Sequence, residues 1–295
     1  MASALKNRRT GIIGNILSPD MNNPFFSNIS MSLKTAALRC GYHILPVYIE
    51  PVHDLAEHIL HAGISSLVEG LIFTAPVLVS PSVTKKLMNM EIPVIMIERP
   101  LKLSGVDKVL LDDFCGSALA AQQFLSFGHR NIGFIGRECN SGAVETNRFK
   151  GFAETLKANN APLDEKMIVL TGGYRAEYGY EAMKKIITAN GKKPPIACFF
   201  TSDMLVCGAL QYLYEADLRV PEDVSIIGYD NTLSSICSPP ITSIGIPYDE
   251  IGVTSISLFQ ERREQGRVVD KEVRLNLFLV DRGSVSKEGD KALRP

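Results

Sequence analysis

The sequence predicts an α/β protein built from two similar doubly wound parallel-sheet lobes. Three observations carry this reading. Short, nearly continuous apolar runs alternate with amphipathic stretches along the chain, the pattern of parallel strands covered on both faces by crossover helices. These runs are too many for a single sheet in 295 residues, which points to two sheets. Polar and charged residues also gather directly after the runs, at the edge where open α/β sheets hold their ligands.

The strand candidates, in order, are Gly11–Leu17, Tyr42–Ile49, Gly70–Phe73, Pro93–Ile97, Lys108–Leu111, Ile132–Gly136, Met167–Leu170, Ile196–Thr201 and Val224–Tyr229. The helical candidates between them are Pro24–Arg39, Val52–Ala62, Pro81–Met88, Gly116–Phe127, Thr146–Asn159, Tyr178–Thr188 and Asp203–Ala216. In the first helix Phe26, Ile29, Leu33, Ala36 and Ala37 follow the three-four spacing of one buried face. Pro24 suits its first turn and Gly41 its end. A helix over Pro247–Gln265 and a last strand over Lys271–Val280 complete the pattern. Gly128-His129-Arg130-Asn131 reads as the first passage between lobes.

Composition sets limits on function. The formal net charge is -1, so this chain has no bulk attraction for nucleic acid or for a membrane surface. The six cysteines form no C-x-x-C and stand beside no histidine at zinc spacing, as expected of reduced thiols. Cys198 and Cys207 lie in apolar runs and read as small core residues. No secretory leader and no membrane-length apolar stretch is visible. There is no G-x-S-x-G elbow, no Walker loop and no G-x-G-x-x-G turn. His53, His58 and His61 lack a second set of ligands within reach, so no metal and no cofactor is expected. Asp112-Asp113 could serve as an acid–base pair, although a helix cap is the commoner use of such residues.

The candidate ligand residues follow the strands. Ser18-Pro19-Asp20-Met21-Asn22-Asn23-Pro24-Phe25-Phe26 sets polar groups beside two aromatic rings. Glu98 and Arg99, Ser202 and Asp203, and Asp230 and Asn231 end three further strands, and Arg148 opens a helix. Arginine offers a planar fork of donors and aspartate accepts two hydrogen bonds. Phe25, Phe26 and Tyr174 could stack on a ring. The set suits a sugar or a base.

These residues resemble the effector-binding core of the LacI/GalR family of transcriptional regulators, itself similar to periplasmic sugar-binding proteins. The resemblance runs from Thr10 to about Ser286. It rests on Asn23-Pro24-Phe25-Phe26, Ile92-Pro93-Val94-Ile95, Gly128-His129-Arg130-Asn131-Ile132, Asn147-Arg148-Phe149-Lys150-Gly151-Phe152, Val220 to Asp230 and Pro239-Pro240-Ile241-Thr242-Ser243. It implies a periplasmic binding protein-like fold with three crossovers, an effector cleft between the lobes, a cytoplasmic homodimer and no catalysis. The implied lobes are residues 10–129 with 246–268, and 130–245 with 269–286. Residues 1–9 would be a hinge remnant and 287–295 a tail.

The implied ligand contacts are Asn23, Phe25, Phe26, Glu98, Arg99, Arg148, Tyr174, Phe199, Ser202 and Asp230, with a sugar-like effector favoured over a purine. Ser202 stands where the family often has asparagine, and Glu98 where it often has aspartate. Members carry an N-terminal helix-turn-helix head that reads operator DNA. This chain is expected to lack that head, and operator DNA is expected to be contacted only through it. A sugar transporter's solute-binding protein is the alternative.

Overall fold

The computed structural model describes residues 10–17, 23–48, 64–74, 92–98, 104–138, 143–191 and 196–287. The helices expected over 52–62 and 81–88, and the three histidines of that region, lie outside these residues. The chain divides into two compact units and passes between them three times. The first unit runs up to Leu111 and takes in Pro247–Leu275, and the second comprises Asp112–Ile246 and the residues from Asn276.

In the first unit the elements are β1 (Ile12–Leu17), α1 (Pro24–Arg39), β2 (His43–Tyr48), a single turn α2 (Ile64–Leu67), β3 (Gly70–Phe73), β4 (Val94–Ile97) and β5 (Asp107–Leu111). In the second, α3 (Asp113–Ser126), β6 (Ile132–Arg137), α4 (Ala143–Ala158), β7 (Ile168–Thr171), α5 (Ala176–Ala189), β8 (Ile196–Phe200), α6 (Asp203–Glu215), β9 (Val224–Asp230) and β10 (Thr242–Gly245) follow. Then α7 (Tyr248–Arg263) and β11 (Glu272–Leu275) return to the first unit, and β12 (Phe278–Val280) closes the second.

The sheet orders are β2-β1-β3-β4-β5-β11 and β7-β6-β8-β9-β10-β12. Each reverses direction once, between β1 and β3 or between β6 and β8, so each has one topological switch point. All pairings are parallel except β10 with β12. Strands β3, β4, β8 and β9 are buried along their whole length, which explains why they read as unbroken apolar runs.

Three expectations are corrected. The predicted single strand Lys271–Val280 is two strands. β11 pairs with β5 and β12 with β10, in different sheets, and no proline or glycine marks the break at Asn276-Leu277. β10 was not anticipated, because Thr242-Ser243-Ile244-Gly245 is half polar; both hydroxyls are buried and bonded instead. The first passage between units falls after Leu111, not at Gly128-Asn131. Helix α3 belongs to the second unit, where it packs on α4, β10 and β12.

Helix pairs meet at glycines. A Cβ on Gly208 of α6 would fall on the Ala176 carbonyl of α5, and one on Gly179 of α5 on the Leu205 carbonyl of α6. A Cβ on Gly151 of α4 would fall on the Phe114 carbonyl of α3. Backbones this close admit no methyl group, so Gly208→Ala should lower stability by about 1–3 kcal/mol, the usual cost of overpacking. Equilibrium urea unfolding measures it, and an unchanged midpoint would refute the close crossing.

Candidate ligand site

The switch point of the second sheet assembles a buried charged cluster. Arg148 lies in the second turn of α4, where a cation gains nothing from the helix dipole, so its position calls for a tertiary partner. That partner is Asp113, the first residue of α3. Arg148 Nε donates to Asp113 Oδ1 at 2.7 Å, and Nη1 donates to the Thr201 carbonyl at 3.0 Å. The Tyr229 hydroxyl donates to the same Asp113 oxygen at 2.6 Å. The guanidinium lies 4.0 Å above the Tyr229 ring, a cation–π contact. Arg148 and Asp113 are buried, with side chains 5% and 3% exposed. Burial opposes the Arg148 charge, but Asp113, Tyr229, Tyr174 and Asp230 together hold its pKa well above the ordinary value.

Asp230 ends β9 in the left-handed region, at φ 92°, where a non-glycine residue is strained. Ser202 Oγ donates to its Oδ2 at 2.8 Å. Burial pushes the Asp230 carboxyl from 3.8 to about 7. Arg148 and the Ser202 hydrogen bond pull the other way, and the neighbouring Asp203 and Asp113 carboxylates reinforce the rise. Ser202 also caps α6 by accepting from the Met204 N–H.

Asp203, the first residue of α6, has a different use. Its Oδ2 takes the N–H groups of Thr232, Leu233 and Ser234 at 2.7, 3.1 and 3.1 Å, and its Oδ1 accepts from Ser243 Oγ at 2.9 Å. It holds the loop that follows Asp230. Arg282 grips the same loop through Asn231 Oδ1 at 2.6 Å and the Ile241 carbonyl at 2.9 Å.

The remaining expected contacts of this unit divide. Tyr174 is partly buried, with the Arg137 guanidinium 5.9 Å from its ring centre, and burial raises its phenol. Phe199 is a correction. It is 0% exposed and stacks on Phe152 with ring centres 4.6 Å apart, with Phe134 and Tyr229 beside it. On fully buried β8 its side chain fills the core, and it presents no face to a ligand.

In the first unit Asn23 caps α1, its Oδ1 accepting from the Phe25 N–H at 3.0 Å. Phe25 and Phe26 are half-buried and meet edge to face at 5.2 Å, and Phe25 also touches Tyr248. Glu98 follows β4 at φ 61°, with Oε1 accepting from the Leu111 N–H at 2.8 Å. Part of its carboxylate is thus committed to backbone. Arg99 lies outside the described residues. Asn15 was not singled out from the sequence, yet it is fully buried at this sheet's switch point, accepting from Thr74 Oγ1 at 2.6 Å and donating to Ser30 Oγ at 3.3 Å.

Asp112-Asp113 resolves into two separate uses. Asp112 caps α3 through the Cys115 N–H at 3.1 Å, and Asp113 is the partner of Arg148. Tyr229 and Arg282 escaped the sequence reading, and Asp113 was read as an acid–base group or cap, not as the partner of Arg148, because only the fold shows what each reaches. Among the described residues no group of three or more histidines, cysteines and carboxylates could hold a metal, and no helix is long and apolar enough to cross a membrane.

Two doubly wound units joined by three passages, with charged groups at a switch point, define a class of ligand-binding proteins, and the relatives make the class specific. The sequence profile of the periplasmic binding protein-like domain matches residues 121–285. The HTH-type transcriptional regulator DegA of Bacillus subtilis is 33% identical over 257 residues, covering 85% of this chain and 74% of its own. Catabolite control protein A of Priestia megaterium is 26% identical, covering 93% and 82%. A LacI family transcriptional regulator from Enterococcus faecium, solved with bound ribose, matches with a TM-score of 0.82 at 27% identity, covering 94% and 99%. The chain belongs to the periplasmic binding protein-like family, as the effector-sensing core of a LacI-type transcriptional regulator. The transporter reading is not favoured, since these relatives are regulators.

Two outcomes test the cluster. Arg148→Ala strands a buried Asp113 and should cost about 3–5 kcal/mol. Adding Asp113→Asn should recover part of this, and a double-mutant cycle without coupling would contradict the pairing. The Asp230 carboxyl titrates higher in the folded chain than its ordinary 3.8. The native state therefore binds more protons across that interval, and stability should fall as pH rises from about 4 to about 7. Thermal unfolding across this range should show the fall, and Asp230→Asn should flatten it.

Proposed function

We propose that the second unit binds an uncharged, hydroxyl-rich small molecule, a sugar before a purine, through Arg148, Tyr174, Ser202 and Asp230. The observation that carries this is charge balance. Arg148 is already neutralised by Asp113 at 2.7 Å, and Asp230 is buried beside it with its pKa raised to about 7. Within this cluster of described residues no net positive charge remains to compensate a phosphate or carboxylate, so an anionic ligand there would be buried without a counter-charge. A hydroxyl suits the site, because it can donate to Asp230 and accept from arginine. The ribose bound to the Enterococcus faecium relative is a ligand of this type.

Binding shifts a conformational balance by as much as the ligand's affinity differs between the two states. In the full regulator that shift is read out by an N-terminal helix-turn-helix head on operator DNA, with the protein acting as a cytoplasmic homodimer. The chain performs no catalysis. The paired carboxylates that could have worked as acid and base are split between a helix cap and an ion pair.

A thermal-shift screen of pentoses, hexoses, sugar phosphates and purines tests the reading. A neutral sugar at a hundredfold its Kd should stabilise by about 2.7 kcal/mol. Its affinity should rise as pH passes through about 7 and Asp230 ionises, and Asp230→Asn should remove both the tight binding and the pH dependence. A sugar phosphate or purine that binds more tightly than every neutral sugar would overturn it.

A further inference from the structure

We propose that Arg137 and Glu145 form a second hydroxyl-reading pair at the end of β6, and that this pair selects a neutral ligand group against a carboxylate or an ammonium. The inference rests on the sugar reading of the second unit and names what sets its selectivity.

Strand pairing places the pair at the same sheet edge as Asp230. β6 and β8 run parallel, with Ile135 opposite Phe200. Two residues further along, Arg137 stands level with Ser202, whose hydroxyl donates to Asp230 at 2.8 Å. The backbones between are in close contact. A Cβ on Gly136 would lie 2.8 Å from Thr201 Oγ1, and the Thr201 carbonyl accepts from Arg148 at 3.0 Å. On its other side Arg137 pairs with Thr171 of β7. Thr171 Oγ1 lies 3.2 Å from the Gly136 carbonyl oxygen and 2.8 Å from that of Gly173. That fixes the turn carrying Tyr174, whose ring centre is 5.9 Å from the Arg137 guanidinium. Glu145 stands in the first turn of α4, one turn before Arg148.

The pair is open. Arg137 Nη1 and Glu145 Oε1 are 3.7 Å apart, too far for a hydrogen bond. Among the described residues neither side chain makes one. The Arg137 side chain is 36% exposed and water can solvate it, but that of Glu145 is only 10% exposed. A carboxylate so nearly buried ordinarily accepts hydrogen bonds. The Arg148–Asp113 pair, at 2.7 Å, is closed by comparison. A hydroxyl oxygen about 2.8 Å from each atom fits across the open gap, accepting from Arg137 and donating to Glu145. A carboxylate can only accept and would set its charge against Glu145. An ammonium can only donate and would face Arg137. The balanced pair thus disfavours both ions, and neutralising one partner should admit the ion that the other attracts.

Opposite charge changes test this. Isothermal titration of the full chain uses D-ribose, D-glucose and D-galactose, each beside its amino-deoxy and carboxylate derivatives. The unaltered chain should bind a neutral sugar most tightly. Glu145→Gln leaves Arg137 in excess and should improve the carboxylate derivative relative to its neutral parent by about tenfold, the worth of one charged hydrogen bond. Arg137→Gln leaves Glu145 in excess and should improve the amino derivative by a like factor. A pair that only braces the fold would weaken all three ligands together. If a neutral sugar binds and neither variant shifts the preference toward its ion, the pair is no selector and the sugar reading stands. If no neutral sugar binds the unaltered chain, the sugar reading and this inference fall together.

Discussion

The buried pair of Arg148 and Asp113 is the constraint around which the second unit is arranged. A guanidinium with a 5% exposed side chain is tolerable only when its charge is matched and its donors are bonded. Asp113 supplies the charge, Thr201 a carbonyl and Tyr229 both a ring face and a shared hydrogen bond. Each partner comes from a different element: the start of α3, the end of β8 and the end of β9. Gly151, one turn beyond Arg148, lets α4 reach the backbone of α3 beside Asp113. Fixing the pair therefore fixes the approach of α4 to α3 and of both to the ends of β8 and β9.

A second carboxylate does for the loop what Asp113 does for the helices. Asp203 gathers three consecutive backbone N–H groups, and Arg282 closes the loop from the other side. Asp230 is held between these supports in a backbone conformation that a free chain avoids. The first unit uses the same device for structure alone. Asp107, fully buried, is gripped by Arg262 at 2.8 and 2.7 Å and also by Arg267. Burial would raise its carboxyl, but those arginines and the Lys271 N–H lower it, which ties the end of α7 to β5 and to the chain leading into β11.

The contrast between Asp107 and Asp230 lies in the charges that surround each. Both are buried, yet two arginines surround the first with a full set of donors. The second shares one arginine with Asp113 and has other carboxylates nearby, so its ionisation is opposed.

The alternation of apolar runs and amphipathic helices determined the strands β1 to β9 and the larger helices to within a few residues, because burial on both faces of a parallel sheet leaves a local signature. The places of Ser202 and Asp230 at the ends of β8 and β9 were legible for the same reason, since local chain direction sets where a strand stops. Tertiary structure alone decided the rest. It split Lys271–Val280 between two sheets, drew α3 into the second unit, consigned Phe199 to the core and joined Arg148 to Asp113 across 35 residues. None of these leaves a periodic trace, since each depends on which distant backbone a side chain meets once the sheets have formed, and the cost of burying charge then selects the partner.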